Sequence, residues 1–208
     1  MRENYRTLKS LGTKELIISK SRFIAHCTRA ETEEEALAFI QHIKKEHSSA
    51  THNCSAYLIG EHDQIQKAND DGEPSGTAGV PMLDVLKKQG LKDCVVVVTR
   101  YYGGIKLGAG GLVRAYGKAT SQGLEAAQIV ERKLHKKMKV SVDYTLLGKI
   151  ENEIRQSDYI LDDIIYMEGV DFFVFVDRFQ EDTFREWMTN LTSGQCTISV
   201  IEERFLEF

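Results

Sequence analysis

Apolar and polar positions change their period several times along the chain, which predicts a mixture of strands and helices. Alternation marks half-buried strands, whereas recurrence every three or four residues marks amphipathic helices. The spacing of Thr32 and Glu35 matches a capping box at a helix start. In chain order, the first part predicts two strands within residues 5–28 joined by a turn at Ser19–Ser21, a helix over 32–47, a hairpin of 53–59 and 64–68, a helix from Pro81 to Gly90, a strand at 93–99 and a helix to about Lys133.

The segment Asp93–Thr99 is apolar and β-branched almost throughout, which predicts a strand buried on both faces. Two glycine-rich loops, residues 70–79 and 103–111, flank this strand in the sequence. We expect them on opposite ends or sides of it. Pro81 is predicted at the first position of the intervening helix, where a missing N–H costs little.

The second part of the chain has its own order of elements. Its pattern predicts a strand at 138–144, a helix at 146–157, a hairpin of 159–167 and 171–177, a helix at 181–191 and a last strand at 196–206. This βαββαβ order is the ferredoxin-like pattern. We therefore predict an α+β protein with two domains, residues 1–136 and 137–208.

Charge is distributed unevenly between the two parts. The net charge of −4 divides into +5 for residues 1–137 and −9 for residues 138–208. A polyanionic partner would favour the first part and be repelled by the second. A basic cluster at the junction is interpreted as the solvated end of a helix, and consists of Arg132, Lys133, Lys136, Lys137 and Lys139.

The composition, 42% apolar and 28% charged, is typical of a soluble globular protein. The N-terminus lacks the apolar core of a signal peptide, and no apolar run is long enough to span a membrane. The cysteines have no CxxC spacing, so reduced thiols in a cytoplasmic protein are expected. No cofactor is predicted.

The second glycine loop, followed by a helix, is a candidate anion site. Free N–H groups at a helix start and the helix dipole favour a phosphate, although the loop is not a Walker A motif. The alternative is a tight turn that packs the helix onto the strand. The candidate anion- or nucleic-acid-binding residues are Arg100, Tyr101, Gly103, Gly104, Lys106, Gly108, Gly110, Gly111 and Arg114.

The first glycine loop carries three acidic residues, Asp70, Asp71 and Glu73. Carboxylates beside glycine could hold a hard cation. They could instead accept backbone N–H bonds or pair with Arg100 or Arg114, and this interpretation is favoured. Thr77 is a candidate cap of the helix that follows.

His52 and Cys54 face the same way on a predicted strand, which is compatible with an activated thiol or a zinc ligand pair. No second pair lies nearby to complete a zinc site, so a packed structural role is favoured. Tyr101 and Tyr102 could stack on nucleic-acid bases or belong to the core. These residues supply no convincing catalytic set.

Three segments together, THNCSAY, DDGEPSGTAGVPML and VVVVTRYYGGIKLGAGGLVRAYGKA, resemble the signature of the IMPACT family in its two-domain bacterial form. The family motif carries over onto Asp70, Asp71, Gly72, Glu73, Pro74, Gly76, Thr77, Arg100, Tyr101, Gly103, Gly104, Lys106, Gly108, Gly110, Gly111 and Arg114. Tyr102 stands where phenylalanine is common, which retains the ring.

This resemblance implies a fold for each domain. The first should resemble domain 2 of ribosomal protein S5, an α/β sandwich shared with domain IV of elongation factor G. The second should resemble the ferredoxin-like C-terminal domain of that factor. Eukaryotic relatives are similar to translational regulators that act through protein partners, and the family has no agreed catalytic residues to carry over.

The expected function is a non-enzymatic regulator or accessory factor of translation. Its basic first domain would bind RNA, the ribosome or a translation-linked protein. One alternative is an enzyme that binds a phosphate or nucleotide at Gly103–Gly111, with Asp70 or Asp71 as magnesium ligand or base. The other is a protein-interaction module that binds no nucleic acid.

Overall fold

The computed structural model describes residues 4–208, and its internal contacts divide the chain into two compact units, Met1–Glu131 and Arg132–Phe208. This division places the whole basic cluster in the second unit. The first unit then has 17 Lys+Arg against 16 Asp+Glu, and the second has 10 against 15. The first unit is therefore almost neutral, so any attraction for an anion depends on how its charges are arranged.

The first unit is built on a five-stranded antiparallel sheet with the order β2-β3-β6-β4-β5. Its elements are β1 (Tyr5–Leu8), β2 (Gly12–Ile18), β3 (Ser21–Arg29), α1 (Glu33–Glu46), β4 (His52–Ile59), β5 (Ile65–Asn69), α2 (Gly79–Lys88), β6 (Cys94–Tyr101) and α3 (Gly108–Ala127). The prediction of two strands within residues 5–28 is wrong, because this region contains three. Strands β1 and β2 lie before the turn at residues 19–20, and β3 begins after it.

Strand β6 is the centre of this sheet, and its residues 94–100 are buried. Val96 and Val98 face a core shared with α2 and α3, whereas Val95 and Val97 face a core shared with α1. The prediction of a strand buried on both faces is confirmed. The resulting layers, helix, sheet and two helices, bury apolar surface on both sides.

The second unit has the predicted order βαββαβ. Its elements are β7 (Ile129–Val142, which begins at the end of the first unit), α4 (Leu147–Gln156), β8 (Ile160–Tyr166), β9 (Val170–Asp177), α5 (Glu181–Thr192) and β10 (Thr197–Glu207). The strands pair antiparallel in the order β10-β7-β9-β8. Both helices contribute to one core with these strands, through residues such as Ile150 and Phe184. The ferredoxin-like prediction is confirmed.

The junction region differs from the sequence prediction. Helix α3 ends at Ala127 rather than near Lys133, because Gln128 has a φ of +60° that cannot continue a helix. Strand β7 begins at once and runs through residues predicted to be helical. The basic cluster therefore lies on a strand, not at a helix end.

The start of α2 also differs from the prediction. Pro81 is its third residue, not its first, because the helix begins at Gly79 after Ala78. Within the described range 4–208, no helix combines the length and apolar character needed to cross a membrane.

Candidate functional site

The two glycine loops meet at one cavity of the first unit, at the C-terminal end of β6. The cavity has a volume of about 460 Å³. Glu73 and Pro74 line it from the first loop, Lys106 and Gly108 from the second, and Arg100 from β6. The expectation that the loops lie on opposite ends or sides of the strand is wrong, because the acidic loop folds back to the end of β6.

Arg100 and Glu73 form a buried ion pair in the cavity wall. The Arg100 Nη1 donates to Glu73 Oε1 at 2.7 Å, and the two side chains are 6% and 3% exposed. The Nη2 of the same guanidinium lies 3.3 Å from Ser21 Oγ. Its Nε is buried and has no hydrogen-bond partner among residues 4–208. An unpartnered donor of this kind is costly unless a ligand or water supplies an acceptor.

Tyr116 on α3 holds the same carboxylate from the other side. Its hydroxyl donates to Glu73 Oε1 at 2.8 Å, and burial raises the pKa of this phenol. Cys54 Sγ lies 3.3 Å from the Tyr116 hydroxyl and 3.0 Å from the Asp70 carbonyl oxygen. Burial raises the pKa of the Cys54 thiol to about 12, so it stays protonated near neutral pH. This environment does not activate Cys54 as a nucleophile.

Asp70 caps helix α2 from the start of the acidic loop. Its carboxylate accepts from the backbone N–H groups of Gly76, Ala78 and Gly79 at 2.8, 3.0 and 2.8 Å. Burial raises the pKa of Asp70, but these three hydrogen bonds outweigh it and leave the pKa below its ordinary value. The cap predicted for Thr77 is wrong, because the Thr77 hydroxyl donates instead to the Pro74 carbonyl at 2.6 Å.

Asp71 joins the acidic loop to β4 and α1. Its carboxylate accepts from the Asn53 N–H at 2.7 Å and from Lys44 Nζ at 2.6 Å. Each acid of the loop thus has its own partner within the protein. Asp70 binds the start of α2, Asp71 binds β4 and a lysine of α1, and Glu73 binds Arg100. Among the described residues, no group of three or more His, Cys, Asp or Glu is arranged to hold a metal ion.

His52 lines the cavity next to Glu73. Its Nδ1 lies 2.8 Å from the carbonyl oxygen of Asp71, and its Nε2 lies 3.7 Å from Glu73 Oε2. His52 and Cys54 do face the same way, as alternation on a strand requires. Each contacts the backbone of the acidic loop, so both help to fix that loop.

The start of α3 opens onto the cavity. Gly108, Ala109 and Leu112 line it, and Leu107 precedes the helix without providing a side-chain cap. The first turn of α3 contains no acidic residue. The first N–H groups have no intrahelical acceptor and, among residues 4–208, no side-chain cap, so they favour an anion. Gly108 has a φ of +70°, which an L-residue with a side chain adopts only with strain.

The two neighbouring tyrosines at the end of β6 point to opposite sides. Tyr101 does not line the cavity, and its hydroxyl lies 2.9 Å from His47 Nδ1 at the end of α1. Tyr102 does line it, is 45% exposed, and has its ring centroid 5.4 Å from Arg100 Cζ. Of the two, Tyr102 is the ring available to stack on a ligand.

Only three of the nine candidate anion-binding residues line the cavity, namely Arg100, Lys106 and Gly108. The exposed Arg114 does not, and it has no ion pair in the described part of the chain. Gly103 packs against the β2–β3 turn, since an added Cβ would meet the Lys20 carbonyl oxygen at 2.0 Å. Gly104, Gly110 and Gly111 also lie outside the cavity lining.

Sequence reasoning missed the contribution of residues distant from the glycine loops. Ser21, Thr51 and Tyr116 contact the site or line it, yet none belongs to a short motif of known chemistry. Thr51 begins the family segment THNCSAY, and Tyr116 lies within the family segment VVVVTRYYGGIKLGAGGLVRAYGKA, whereas Ser21 lies in none of the three segments. For Thr51 and Tyr116, membership of those segments was the available signal.

Comparison with known proteins agrees with this architecture. The model of the Impact N-terminal domain matches residues 19–124, and that of a domain of unknown function (DUF1949) matches residues 140–195. IMPACT family member YvyE of Bacillus subtilis is 60% identical over 207 residues, covering 100% of this chain and 95% of that protein.

Two further comparisons extend this likeness. IMPACT family member YigZ of Escherichia coli is 40% identical over 151 residues, covering 68% of this chain and 74% of that protein. A solved structure described as that of an hypothetical protein is similar with a TM-score of 0.62 at 33% identity, over 97% of this chain and 99% of that one. The chain therefore belongs to the IMPACT family, in its two-domain bacterial form.

Proposed function

We propose that this protein is a non-enzymatic accessory factor of translation that binds RNA through its first unit, with a phosphate group in the cavity at the start of α3. Membership of the IMPACT family fits a translation-related role. The observation that carries the RNA proposal is the uncapped start of α3, which lines the cavity beside Lys106 and the side chain of Arg100. A cytoplasmic location is part of the proposal.

Three features of the cavity support a phosphate as its occupant. Lys106 is exposed, lines the cavity and has no ion pair within residues 4–208. The first N–H groups of α3 are donors at the same cavity, and the first turn of α3 contains no acidic residue. Tyr102 at the rim provides a face on which a base can stack, a contact that is tolerant of sequence.

The near-neutral charge of the first unit limits the proposal to local contacts. A protein that neutralises few phosphates shows a shallow dependence of affinity on salt, since each phosphate of a single strand contributes a slope of about 0.7. We expect a slope that corresponds to a few phosphates rather than to a long basic groove.

The nucleotide-enzyme alternative gains less support from the same geometry. It needs Asp70 or Asp71 as a magnesium ligand or base. Both oxygens of Asp70 already accept backbone N–H bonds from the loop and the start of α2, and Asp71 already accepts from Asn53 and Lys44. Neither carboxylate is free to take that role without loss of the loop structure.

The test is the affinity for a short single-stranded RNA, measured by fluorescence anisotropy over a range of salt concentrations. We expect Lys106→Gln to weaken binding and to reduce the salt slope by about 0.7, the contribution of one single-strand phosphate. The matched control is Lys118→Gln, which removes the same charge from an exposed position on α3 outside the cavity. Absence of RNA binding at low salt, or equal effects of both substitutions, would contradict the proposal.

A further inference from the structure

Hydrogen bonding in the cavity wall fixes the tautomer of His52. The Asp71 carbonyl oxygen, 2.8 Å from His52 Nδ1, can only accept a hydrogen bond. Nδ1 must therefore carry a proton and donate it. In the neutral ring, this leaves Nε2 with a lone pair, so that Nε2 is an acceptor.

Glu73 presents a second acceptor beside this nitrogen. Its Oε1 takes both strong donors, Arg100 Nη1 and the Tyr116 hydroxyl, whereas its Oε2 has no hydrogen-bond donor in the described part of the chain. Oε2 lies 3.7 Å from His52 Nε2, which is too far for a hydrogen bond between them. With a neutral His52 ring, the cavity wall thus has two neighbouring acceptors that lack donors within residues 4–208.

A ligand that fits these acceptors must bring two adjacent donors. A phosphate cannot do so, since it has acceptor oxygens and would be repelled by the Glu73 carboxylate. Two hydroxyl groups on neighbouring carbons can, because their oxygens are close enough together to donate one to each acceptor. The donors at the start of α3 and the acceptors on His52 and Glu73 line the same cavity. A ligand that satisfies both the donors and the acceptors must have an anionic group and a vicinal diol.

A ribonucleotide has both groups, and it is the ligand of this kind that the proposed RNA binding would supply. We propose that the cavity binds a terminal ribonucleotide whose free 2′,3′-diol donates to His52 Nε2 and Glu73 Oε2, while its phosphate lies at the start of α3 beside Lys106. This inference rests on the proposed function and deepens it. RNA carries a free diol only at its 3′ end, so the RNA would be held by that end. A free ribonucleotide has the same chemistry and is the other possible source.

The test compares RNA oligonucleotides of one sequence that differ only at the 3′ end. One ends in the natural diol, one in a 2′-deoxynucleotide, one in a 3′-deoxynucleotide and one in a 3′-phosphate. A site built to hydrogen-bond a hydroxyl rejects the analogue that lacks it, so we expect the modified ends to weaken binding at least about tenfold. Competition by adenosine 5′-monophosphate, but not by its 2′-deoxy analogue, identifies whether the free nucleotide also enters.

Three results separate this inference from the proposed function. RNA binding with equal affinity for all four ends overturns the diol inference and leaves the RNA proposal standing. No binding of any RNA, together with selective binding of the ribonucleotide over its deoxy analogue, overturns the RNA proposal and supports the diol site. No binding of either ligand overturns both.

A pair of variants links the selectivity to the named groups. His52→Phe keeps a ring but removes the acceptor, so the affinities for the diol and deoxy ends should become equal. The matched control is His42→Phe on the exposed face of α1, which should keep the selectivity. Circular dichroism checks that both variants fold, and the comparison of 3′ ends on the unaltered protein stands even if His52→Phe does not.

Discussion

Arg100 and Glu73 connect the central strand of the first unit to its acidic loop through an ion pair of 2.7 Å that is almost fully buried. The Arg100 Cζ also lies 5.3 Å from the centroid of the Phe23 ring, so the guanidinium is packed as well as paired. Both residues line the cavity, and within residues 4–208 the Arg100 Nε has no acceptor and the Glu73 Oε2 has no donor. This ion pair therefore supports the fold and also places a cation and a carboxylate in the wall of the candidate site.

Removal of one partner of this pair should be strongly destabilising. Arg100→Met leaves the Glu73 carboxylate buried without its cation, which typically costs about 3–5 kcal/mol. Urea denaturation followed by circular dichroism measures the loss. The control is Arg22→Met, whose pair with Glu15 is exposed and should leave the unfolding midpoint nearly unchanged. Equal effects of the two substitutions would show that the buried pair has no special structural weight.

The Asp70 cap predicts a dependence of stability on pH. Asp70→Asn keeps one acceptor oxygen but replaces the other by an amide group and removes the negative charge, and the lost charge-assisted hydrogen bonding should cost about 1–3 kcal/mol at neutral pH. Because the folded-state pKa of Asp70 lies below its ordinary value of 3.8, its contribution is present above 3.8 and is lost as the pH falls through the lower value. Urea midpoints of the two proteins should therefore converge in acid. A difference that stays constant down to acid pH would contradict this role, and Asp84→Asn on the exposed face of α2 is the control.

The four cysteines should differ sharply in reactivity. Cys27, Cys54 and Cys94 are buried, whereas Cys196 is partly exposed. Burial raises the pKa of each buried thiol, and the reactive thiolate is then scarce near neutral pH. Titration with a disulfide reagent should modify Cys196 first in the folded protein, and the other three only after unfolding. Rapid modification of Cys54 would restore the activated-thiol hypothesis.

The second glycine loop offers a matched pair of substitutions. A Cβ on Gly103 would lie 2.0 Å from the carbonyl carbon and oxygen of Lys20, so Gly103→Ala forces a backbone shift and should cost about 1–3 kcal/mol or more. A Cβ on Gly110 would meet only Arg114 Nη1 at 3.6 Å, and alanine favours helix there by up to about 1 kcal/mol. Thermal unfolding should rank Gly110→Ala above Gly103→Ala. The reverse order would contradict the close approach of this loop to the β2–β3 turn.

The sequence pattern was sufficient to predict most elements but not their meeting points. The apolar run of β6 and the βαββαβ order of the second unit are local signals, and both predictions are confirmed. The end of α3 was missed because Gln128 adopts a positive φ, which its residue type does not reveal. The start of α2 was predicted at Pro81, two residues after its actual start at Gly79. The local pattern did not reveal this start, because its cap is Asp70, eight residues before Ala78.

The sequence could predict part of the cavity lining but not all of it. Three of the candidate residues line the cavity, and the anion site inferred from glycine before a helix stays a prediction. Both Tyr101 and Tyr102 were candidates for stacking, and only the structure shows that Tyr102 lines the cavity whereas Tyr101 does not. The acceptors on His52 and Glu73 depend on a chain reversal of 21 residues, which no local pattern specifies.

A titration of the isotopically labelled protein with short single-stranded RNA, followed by two-dimensional NMR, tests the central claim most directly. Binding of a phosphate at the start of α3 should shift the backbone N–H signals of Gly108 to Gly111 and the Nε–H signal of Arg100. The exposed residues of α1 should stay unchanged and serve as the internal control. Shifts that avoid the start of α3 and Arg100, or no shifts at all, would contradict a phosphate site in this cavity.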